Sequence, residues 1–224
     1  MDSRTTLLRT IAGVISRYDL GYPIRVAIDG IDCAGKTRFA DELKPFLEDH
    51  GQPVIRSSID GFHNPEKIRY NRGRYDPEGY YLDSFNYRVL LDELLLPLGP
   101  DGDLFYRKKF FDYKKNKKVD LIPEKASKDS VLLFDGVFLL RPEILNQWKL
   151  KIFLDISFDE SKRRGIVRDE GDKEEIIKLY EQRYIPAQKL YYLHAGPKLQ
   201  ADIIIDNNDP ADPSLTYVSP KIGK

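Results

Sequence analysis

A glycine-rich segment early in the chain has the residue types and the spacing that hold nucleotide phosphates. Residues 30–37 read GIDCAGKT and fit the pattern G-x-x-x-x-G-K-[ST]. In such a loop the backbone N–H groups point at an anion, and the lysine reaches the β and γ phosphates. The last residue, a threonine, can place its hydroxyl oxygen on Mg²⁺. The segment therefore predicts a site for a nucleoside triphosphate and a metal ion.

The residues on either side of this segment support the prediction. Residues 24–29 form an apolar run typical of a buried strand, and residues 37–48 have the apolar spacing of a helix. A strand, a glycine-rich turn and a helix N-terminus are the parts that direct backbone N–H groups at a phosphate. The residues predicted to bind the nucleotide are Gly30, Asp32, Cys33, Ala34, Gly35, Lys36, Thr37 and Arg38.

Two aspartates that end apolar strands further along the chain are candidates for the chemistry. Asp135 ends the run VLLFD, where a carboxylate of the Walker B type holds Mg²⁺ together with Thr37. The next residue is Gly136, not the glutamate that activates water in many hydrolysing P-loop ATPases, which favours phosphoryl transfer. Asp60 ends the second strand, and a carboxylate beside the γ phosphate can accept a proton from a hydroxyl group. We therefore predict that Asp60 is the catalytic base.

A basic helix predicted over residues 159–169 supplies guanidinium groups for the transferred phosphate. Arg164 and Arg168 are four residues apart, so they share one face of the helix. Planar guanidinium groups match phosphate geometry and neutralise the charge that spreads over the oxygens during transfer. We predict Arg164 and Arg168, with Lys36, as catalytic residues. The alternative is a solvated basic helix face.

The elements that position these residues predict an α/β fold. Apolar strands alternate with helices along the 224 residues, a pattern that favours a mostly parallel sheet with helices on both faces. Ligands of such sheets bind beyond the carboxyl ends of the strands, where residues 30–37, Asp60 and Asp135 are expected to meet. We therefore predict a P-loop NTPase fold with a small β-hairpin and a helical lid.

Residues 1–224 are expected to form a single domain, because no change in composition marks a second one. The predicted parts are an N-terminal helix within residues 1–20, a hairpin over 104–122, the lid and following helix over 159–194, and an irregular tail over 207–224. A long loop is predicted over residues 61–82, followed by a helix over residues 83–96 with Asp83 as its N-cap.

Charge and cysteine content bear on partners and location. The 36 basic and 36 acidic residues balance, which argues against bulk electrostatic binding to nucleic acid or to an anionic membrane. Cys33 is the only cysteine, so a reducing compartment is expected. No apolar run approaches the roughly 20 residues of a membrane span, and residues 1–10 lack a signal-peptide core. We expect a cytoplasmic protein, and the sequence leaves open whether it forms a homo-oligomer.

Several of these segments resemble motifs of the uridine kinase/phosphoribulokinase-like family of P-loop kinases, over roughly residues 24–206. DGFH at residues 60–63 resembles the family's Asp-x-Phe-Tyr, whose aspartate is the catalytic base. DGVF at residues 135–138 resembles the family's acidic strand end, and Arg164 and Arg168 resemble lid arginines that clamp phosphates. The resemblance implies transfer of the γ phosphate of ATP, with Mg²⁺, to a hydroxyl of a small molecule. A nucleoside such as uridine or cytidine is the expected acceptor.

The resemblance also implies residues that bind the acceptor, and here the chain departs from the family. FFDY at residues 110–113 resembles a hairpin that holds the base, but lysines within residues 114–118 replace the histidine expected for pyrimidine recognition. DPEGYYLD at residues 76–83 is similar to a family loop whose last aspartate binds sugar hydroxyls, with a different spacing. The residues predicted to bind the acceptor are His63, Tyr81, Asp83 and Tyr113.

These departures keep two alternatives open. A kinase of the same branch would act on another acceptor, namely a vitamin riboside, pantothenate or a sugar phosphate. The basic residues between Arg107 and Lys118 usually indicate a solvated surface, but they would also suit a phosphorylated acceptor or a nucleic acid. The more distant alternative is therefore a P-loop ATPase associated with nucleic acid.

Overall fold

The computed structural model describes residues 3–222, and its centre is a six-stranded sheet. In chain order the strands are β1 (Ile24–Gly30), β2 (Val54–Ser58), β3 (Phe105–Tyr106), β4 (Phe111–Asp112), β5 (Lys117–Lys118), β6 (Glu124–Lys125), β7 (Val131–Asp135), β8 (Leu150–Asp155), β9 (Ile203–Asp206) and β10 (Ser214–Val218). The sheet order is β10-β9-β8-β1-β7-β2. Every pairing in it is parallel except that of β10 with β9. The predicted mostly parallel sheet is confirmed.

Helices lie on both faces of this sheet. In chain order they are α1 (Ser3–Ile15), α2 (Lys36–Asp49), α3 (Glu66–Arg69), α4 (Pro77–Asp83), α5 (Tyr87–Leu90), α6 (Phe158–Arg168), α7 (Lys173–Leu179), α8 (Ile185–Ala195) and α9 (Pro197–Gln200). A π-helical segment, Leu91–Leu95, continues α5, and a second one, Tyr180–Tyr184, joins α7 to α8. Within residues 3–222, no helix is both long and apolar enough to cross a bilayer.

The two layers of helices follow from the alternation of side chains along buried strands. Val26 and Ile28 of β1 pack in one apolar cluster with side chains of α1 and α2. Ala27 of β1 and Phe134 of β7 pack in a second cluster with side chains of α5 and α8. All of β1 is buried as a result, and the chain segment that precedes the glycine-rich loop is held from both sides.

The parallel register brings the ends of three strands to one edge of the sheet. Asp135, the last residue of β7, pairs with Ile28 of β1 and with Ser58 of β2. The glycine-rich loop follows β1 directly, and Asp60 follows β2 in a short 3₁₀ turn. The three candidate segments of the sequence therefore converge, as parallel strands require.

The prediction of a long loop over residues 61–82 is wrong for much of that range, because the helices α3 and α4 lie within it. The Asp76 carboxylate accepts a hydrogen bond of 2.6 Å from the N–H of Gly79, and proline occupies the first turn of α4. This aspartate–proline start signal explains the helix. Asp83 is the last residue of α4 rather than an N-cap, and Asn86 caps α5 through the N–H of Val89 at 3.0 Å.

The hairpin and the tail also differ from the predictions. The hairpin predicted over residues 104–122 consists of two nested antiparallel pairs, β4 with β5 inside β3 with β6, and it extends to Lys125. The tail over residues 207–224, predicted to be irregular, contains β10. All five residues of β10 are exposed, and the strand pairs antiparallel with β9 at the edge of the sheet.

Candidate active site

The glycine-rich loop between β1 and α2 takes backbone conformations that few residues tolerate. A Cβ on Gly30 would lie 2.5 Å from the carbonyl oxygen of Leu154, so only glycine fits there. Gly35 has a φ of 87°, and Cys33 has a φ of 59°, which non-glycine residues rarely adopt. Ala34 is fully buried, and its carbonyl oxygen accepts a hydrogen bond of 2.7 Å from the amide of Asn207. The loop is therefore fixed by close packing rather than free to move.

A cavity of about 380 Å³, which we call the loop cavity, opens over this loop. Its lining residues are Arg4, Cys33, Gly35, Lys36, Thr37, Arg38, Arg164, Arg168, Asn207 and Pro210. The side chains include several cations and no carboxylate, a composition that suits a polyphosphate. Arg4 reaches the cavity from α1, where its guanidinium is held by Glu42 and by the carbonyl oxygen of Pro210.

The base of the loop contains a buried carboxylate that the sequence did not single out. Asp29 accepts hydrogen bonds from the N–H of Gly30, at 2.7 Å, and from the hydroxyl of Tyr191. Burial raises the pKa of Asp29 to about 6, although these hydrogen bonds oppose the shift. The Lys36 ammonium lies across the loop and donates to the carbonyl oxygen of Ile31 at 2.6 Å.

The Thr37 hydroxyl and the Asp135 carboxylate, which the sequence predicts as metal ligands, meet beside the loop. The Thr37 hydroxyl donates to one oxygen of the Asp135 carboxylate at 2.6 Å, and Arg56 donates to the other at 2.9 Å. Asp135 is only 2% exposed, and hydroxyl and carboxylate oxygens are ligands that Mg²⁺ prefers. Within residues 3–222 there is no group of three or more His, Cys, Asp or Glu that could hold a metal. An ion here would take its other ligands from phosphates and water.

Asp60 lies between two further cavities. We call them the tyrosine cleft, of about 880 Å³, and the hairpin cavity, of about 710 Å³. The Asp60 side chain is 60% exposed, and it faces concave surfaces whose walls restrict its hydration. This desolvation, and then the nearby Asp135 carboxylate, raise the pKa of Asp60, while Lys36 opposes the rise. Asp60 is thus electrostatically coupled both to the predicted metal site and to the lysine of the loop.

The tyrosine cleft contains two of the residues predicted to bind the acceptor. Its lining residues are Asp32, Asp60, His63, Glu66, Arg69, Tyr70, Tyr80, Ser84, Tyr113, Lys114, Arg168, Asp169, Glu170, Tyr180, Arg183 and Tyr184. The His63 ring lies between the rings of Phe85 and Tyr113, with centroids 4.6 and 4.7 Å away. Burial lowers the pKa of His63 to about 4, so this imidazole is neutral near pH 7. His63 and Tyr113 form a wall beside Asp60.

Known proteins with similar sequences and folds are kinases. A uridine kinase of Ureaplasma urealyticum is 27% identical over 159 residues, which cover 67% of this chain and 71% of that protein. A structure described as a possible uridine kinase from Bacillus stearothermophilus has a TM-score of 0.72 at 19% identity, and the match covers 89% of this chain and 97% of that one. The sequence likeness, at 27% identity, supports the resemblance to the uridine kinase/phosphoribulokinase-like family, and the structural likeness shows the fold of P-loop kinases. No family model matches the chain.

Structures of kinases with other names share the fold of this P-loop kinase. A D-glycerate 3-kinase from Cryptococcus neoformans has a TM-score of 0.58 at 12% identity, with coverage of 94% of this chain and 98% of that one. The chain therefore has the fold of P-loop kinases, because kinase structures with different names share its α/β arrangement. Because these structural likenesses are so low in sequence identity, they bear on the fold alone.

Tyr81 and Asp83, which are also predicted to bind the acceptor, do not line the tyrosine cleft of this kinase. The Tyr81 ring packs under the guanidinium of Arg141, 4.4 Å from its centroid, and lines a separate cavity of about 370 Å³. The Asp83 carboxylate pairs with Arg72 at 2.8 Å. Tyr80 lines the cleft instead, because consecutive side chains on a helix such as α4 point in directions about 100° apart.

Asp32 faces the tyrosine cleft rather than the loop cavity. Its carboxylate accepts hydrogen bonds from the hydroxyl of Tyr80 at 2.9 Å and from the amide of Gln188 at 3.0 Å. Its backbone carbonyl accepts a further bond of 2.7 Å from the Ser161 hydroxyl. Asp32 therefore ties the loop to α4, α6 and α8, a role that no local sequence pattern indicated.

The two lid arginines of this kinase have different surroundings. Arg164 donates to the carbonyl oxygens of Cys33, at 3.2 Å, and of Asn208, at 2.8 Å, and it pairs with Glu160 at 2.6 Å. Arg168 pairs with Asp169 at 2.7 Å and lines both the loop cavity and the tyrosine cleft. Arg164 thus braces the loop backbone, whereas Arg168 lies where the two cavities meet.

Close packing sets the position of this arginine helix. A Cβ on Gly165 would lie 2.0 Å from the ring of Tyr180, so glycine alone lets α6 approach the π-helical segment. The Tyr180 hydroxyl lies 3.2 Å from the sulfur of Cys33. The lid, the π-helical segment and the glycine-rich loop are therefore in direct contact.

Proposed function

We propose that this P-loop kinase transfers the γ-phosphoryl group of ATP to a hydroxyl group of a small molecule. The observation that carries the proposal is that Asp60 lines both the tyrosine cleft and the hairpin cavity. Thr37 lines both the loop cavity and the hairpin cavity, and Asp60 and Asp135 line the hairpin cavity as well. Asp60 and Arg168 also line the tyrosine cleft. A nucleotide in the loop cavity would thus meet an acceptor in the cleft close to the Asp60 carboxylate.

In the proposed step the acceptor's hydroxyl oxygen forms a bond to the γ phosphorus. The bond between that phosphorus and the β–γ bridging oxygen breaks, so ADP leaves with the bridging oxygen. The hydroxyl proton passes to the Asp60 carboxylate and from there to solvent, and the raised pKa of Asp60 makes it a stronger base. Lys36, released from the Ile31 carbonyl, and Arg168 neutralise charge on the transferred oxygens.

The proposed Mg²⁺ site is supported by Thr37 and Asp135, and the preference for transfer over ATP hydrolysis is supported by the packing around Gly136. Thr37 and Asp135 would hold Mg²⁺, which when bound offsets the charge of the phosphates. A Cβ on Gly136 would lie 2.4 Å from Cγ2 of Ile59, so the packing leaves no room for a water-activating glutamate at this position. This supports transfer to a hydroxyl over hydrolysis of ATP.

The acceptor is the finer part of the proposal. The curated relatives are named uridine kinases, which supports a nucleoside such as uridine or cytidine as the acceptor. The cations that line the tyrosine cleft support instead the anionic alternatives of the same branch, pantothenate or a sugar phosphate. The basic hairpin gives less support to a nucleic-acid partner, because Lys108 pairs with Glu124 at 2.7 Å and Lys109 with Asp112 at 3.5 Å. We further propose that residues 1–224 form a single kinase domain, and a cytoplasmic location stays a prediction.

The test measures ADP release with ATP and Mg²⁺, with and without a panel of hydroxyl acceptors that includes uridine and cytidine. Mass spectrometry of the products would detect the gain of one phosphate. ADP release that depends on the acceptor, with matching product, is the expected result. Hydrolysis stimulated by nucleic acid, without a phosphorylated small molecule, would contradict the proposal.

A further inference from the structure

One arginine in the wall of the tyrosine cleft forms no ion pair with any of the residues that the structure describes. Arg69 is the last residue of α3 and lines the cleft. Its Nε atom is buried and makes no hydrogen bond to the described part of the chain. No carboxylate of residues 3–222 forms an ion pair with Arg69, and its guanidinium lies over the ring of Tyr70, 5.3 Å from the ring centroid. A buried N–H of a charged group without an acceptor is unfavourable.

The neighbouring arginines differ from Arg69 in this respect. Arg183 donates to the backbone carbonyl oxygens of residues 69, 73, 74 and 76, at 3.0 to 3.2 Å. Arg168 pairs with Asp169 at 2.7 Å, Arg72 with Asp83 at 2.8 Å, and Arg74 with Glu175 at 2.9 Å. The fold thus supplies acceptors to the other guanidinium groups of this region and leaves that of Arg69 open toward the cleft.

The charge of Arg69 acts on the same space as the proposed chemistry. Arg69 is among the charges that lower the pKa of His63 and oppose the rise in the pKa of Tyr113, and these two rings form the wall beside Asp60. Lys114 also lines the cleft, and its ammonium makes no ion pair with residues 3–222.

The carboxylates of the cleft do not cancel these cations. Asp32 is held by Tyr80 and Gln188, and Asp169 by Arg168. Glu66 and Glu170 are exposed, where water screens their charge. Two cations without partners therefore remain for a ligand that reaches Asp60 with a hydroxyl group.

We propose that the acceptor carries an anionic group, a carboxylate or a phosphate, besides the hydroxyl that is phosphorylated, and that Arg69 binds it with Lys114. The inference rests on the proposed function, because it names the acceptor class of the same site. A guanidinium donates two parallel hydrogen bonds to a carboxylate or a phosphate, which the two terminal nitrogens of Arg69 would supply from the wall of the cleft. Neutral nucleosides and a cationic vitamin riboside would lack this interaction.

The first measurement identifies the acceptor. The chain is incubated with ATP, Mg²⁺ and a fractionated metabolite extract, and compounds that gain one phosphate are identified by mass. The expected acceptor carries a carboxylate or a phosphate before the reaction and is retained by an anion-exchange resin at pH 7. A neutral or cationic acceptor would overturn the inference while leaving the kinase function intact. If no compound gains a phosphate, the proposed function fails and the inference fails with it.

Matched pairs of acceptors then separate charge from shape. The pairs are D-glycerate with glycerol, pantothenate with pantothenol, and D-ribose 5-phosphate with D-ribose, assayed beside uridine and nicotinamide riboside. The expected result is a higher kcat/KM for the anionic member of the pair that reacts. The first two pairs test a carboxylate, and the third tests a phosphate. Equal kcat/KM within each reacting pair, or preference for uridine, would overturn the inference.

The variant Arg69→Gln tests the residue itself. It should raise KM for the anionic acceptor about 10- to 100-fold, because hydrogen bonds to charged groups have this strength, with a smaller change in kcat. The loss of kcat/KM should be clearly smaller for the neutral member of the pair than for the anionic member. Arg88→Gln is the control, since Arg88 is 84% exposed and pairs only with Asp92 one turn away. An unchanged KM in Arg69→Gln would refute the assignment of Arg69.

Discussion

The carboxylate of Asp60 offers the sharpest test of the proposed chemistry. Asp60→Asn keeps the size of the side chain and removes the group that accepts the proton. A positioned general base contributes about 10²- to 10⁴-fold to a rate, or about 3–5 kcal/mol of barrier, and kcat should fall by that factor. Asp60 does not line the loop cavity, so affinity for ATP should stay near that of the wild type.

The assay is ADP release at saturating ATP and acceptor, together with direct measurement of nucleotide binding and a thermal unfolding curve. Asp112→Asn is the matched control, because this carboxylate faces the same hairpin cavity but is occupied by the N–H groups of Lys114 and Lys115 at 3.1 Å. The control should keep kcat within about threefold of the wild type. Full activity in a folded Asp60→Asn variant would refute the assignment of Asp60 as base.

The pH profile gives a second check on the same residue. The pKa of Asp60 is raised above its ordinary value of 3.8, and only the ionised carboxylate accepts a proton. Wild-type kcat/KM should therefore fall as the pH drops through this raised pKa, and the acid limb should be absent from Asp60→Asn. An acid limb that is identical in both proteins would assign it to another group.

Three further predictions concern the metal, the lid and the buried acid. Thr37→Val removes the hydroxyl that donates a hydrogen bond to Asp135. The Mg²⁺ concentration for half-maximal activity should rise at least about tenfold, and Thr37→Ser should restore it. An unchanged Mg²⁺ titration would show that Thr37 is not part of the metal site. Gly165→Ala places a methyl group 2.0 Å from the Tyr180 ring. The free energy of unfolding, measured by denaturant titration, should fall by about 1–3 kcal/mol. A variant as stable as the wild type would contradict the close contact between α6 and Tyr180. The pKa of Asp29 is about 6 in the folded protein, compared with an ordinary value of 3.8. Protonation of Asp29 therefore stabilises the folded state fully below pH 3.8, and this stabilisation is lost as the pH rises through 6. The stability of the wild type relative to Asp29→Asn should therefore fall by about 3 kcal/mol as the pH rises over that window, and a pH-independent difference would show that Asp29 does not titrate there.

The parts of the fold that sequence predicted best are those with local causes. The strand, turn and helix around residues 30–37 each follow from neighbouring residues, and the structure contains β1 and α2 there. The sheet is also recoverable, because its central strands are apolar along their length. The strand β10 was missed because its alternation of polar and apolar residues, SLTYV, is short and lies in a polar, proline-containing segment.

The residues that line the tyrosine cleft were harder to predict, because they depend on which side chains of the short helix α4 point toward the cleft. The cap formed by Asp76 fixes where α4 begins, and with it which neighbouring tyrosine faces the cleft. Sequence similarity pointed to Tyr81 and Asp83, whereas the helix presents Tyr80 and leaves Asp83 to Arg72. A shift of one residue along a helix turns a side chain by about 100°, so motif spacing alone could not choose between them.

The sequence by itself determined the local elements that form the proposed nucleotide site. The pattern from Gly30 to Thr37 and the strand-ending acid Asp135 need only local backbone geometry and a parallel register, both of which the residues encode. Tertiary structure decided the rest, because it depends on contacts between segments far apart in the chain. Those contacts brace the loop with Arg164, bring Arg168 to the meeting point of two cavities, and satisfy every arginine around the cleft except Arg69 among the described residues.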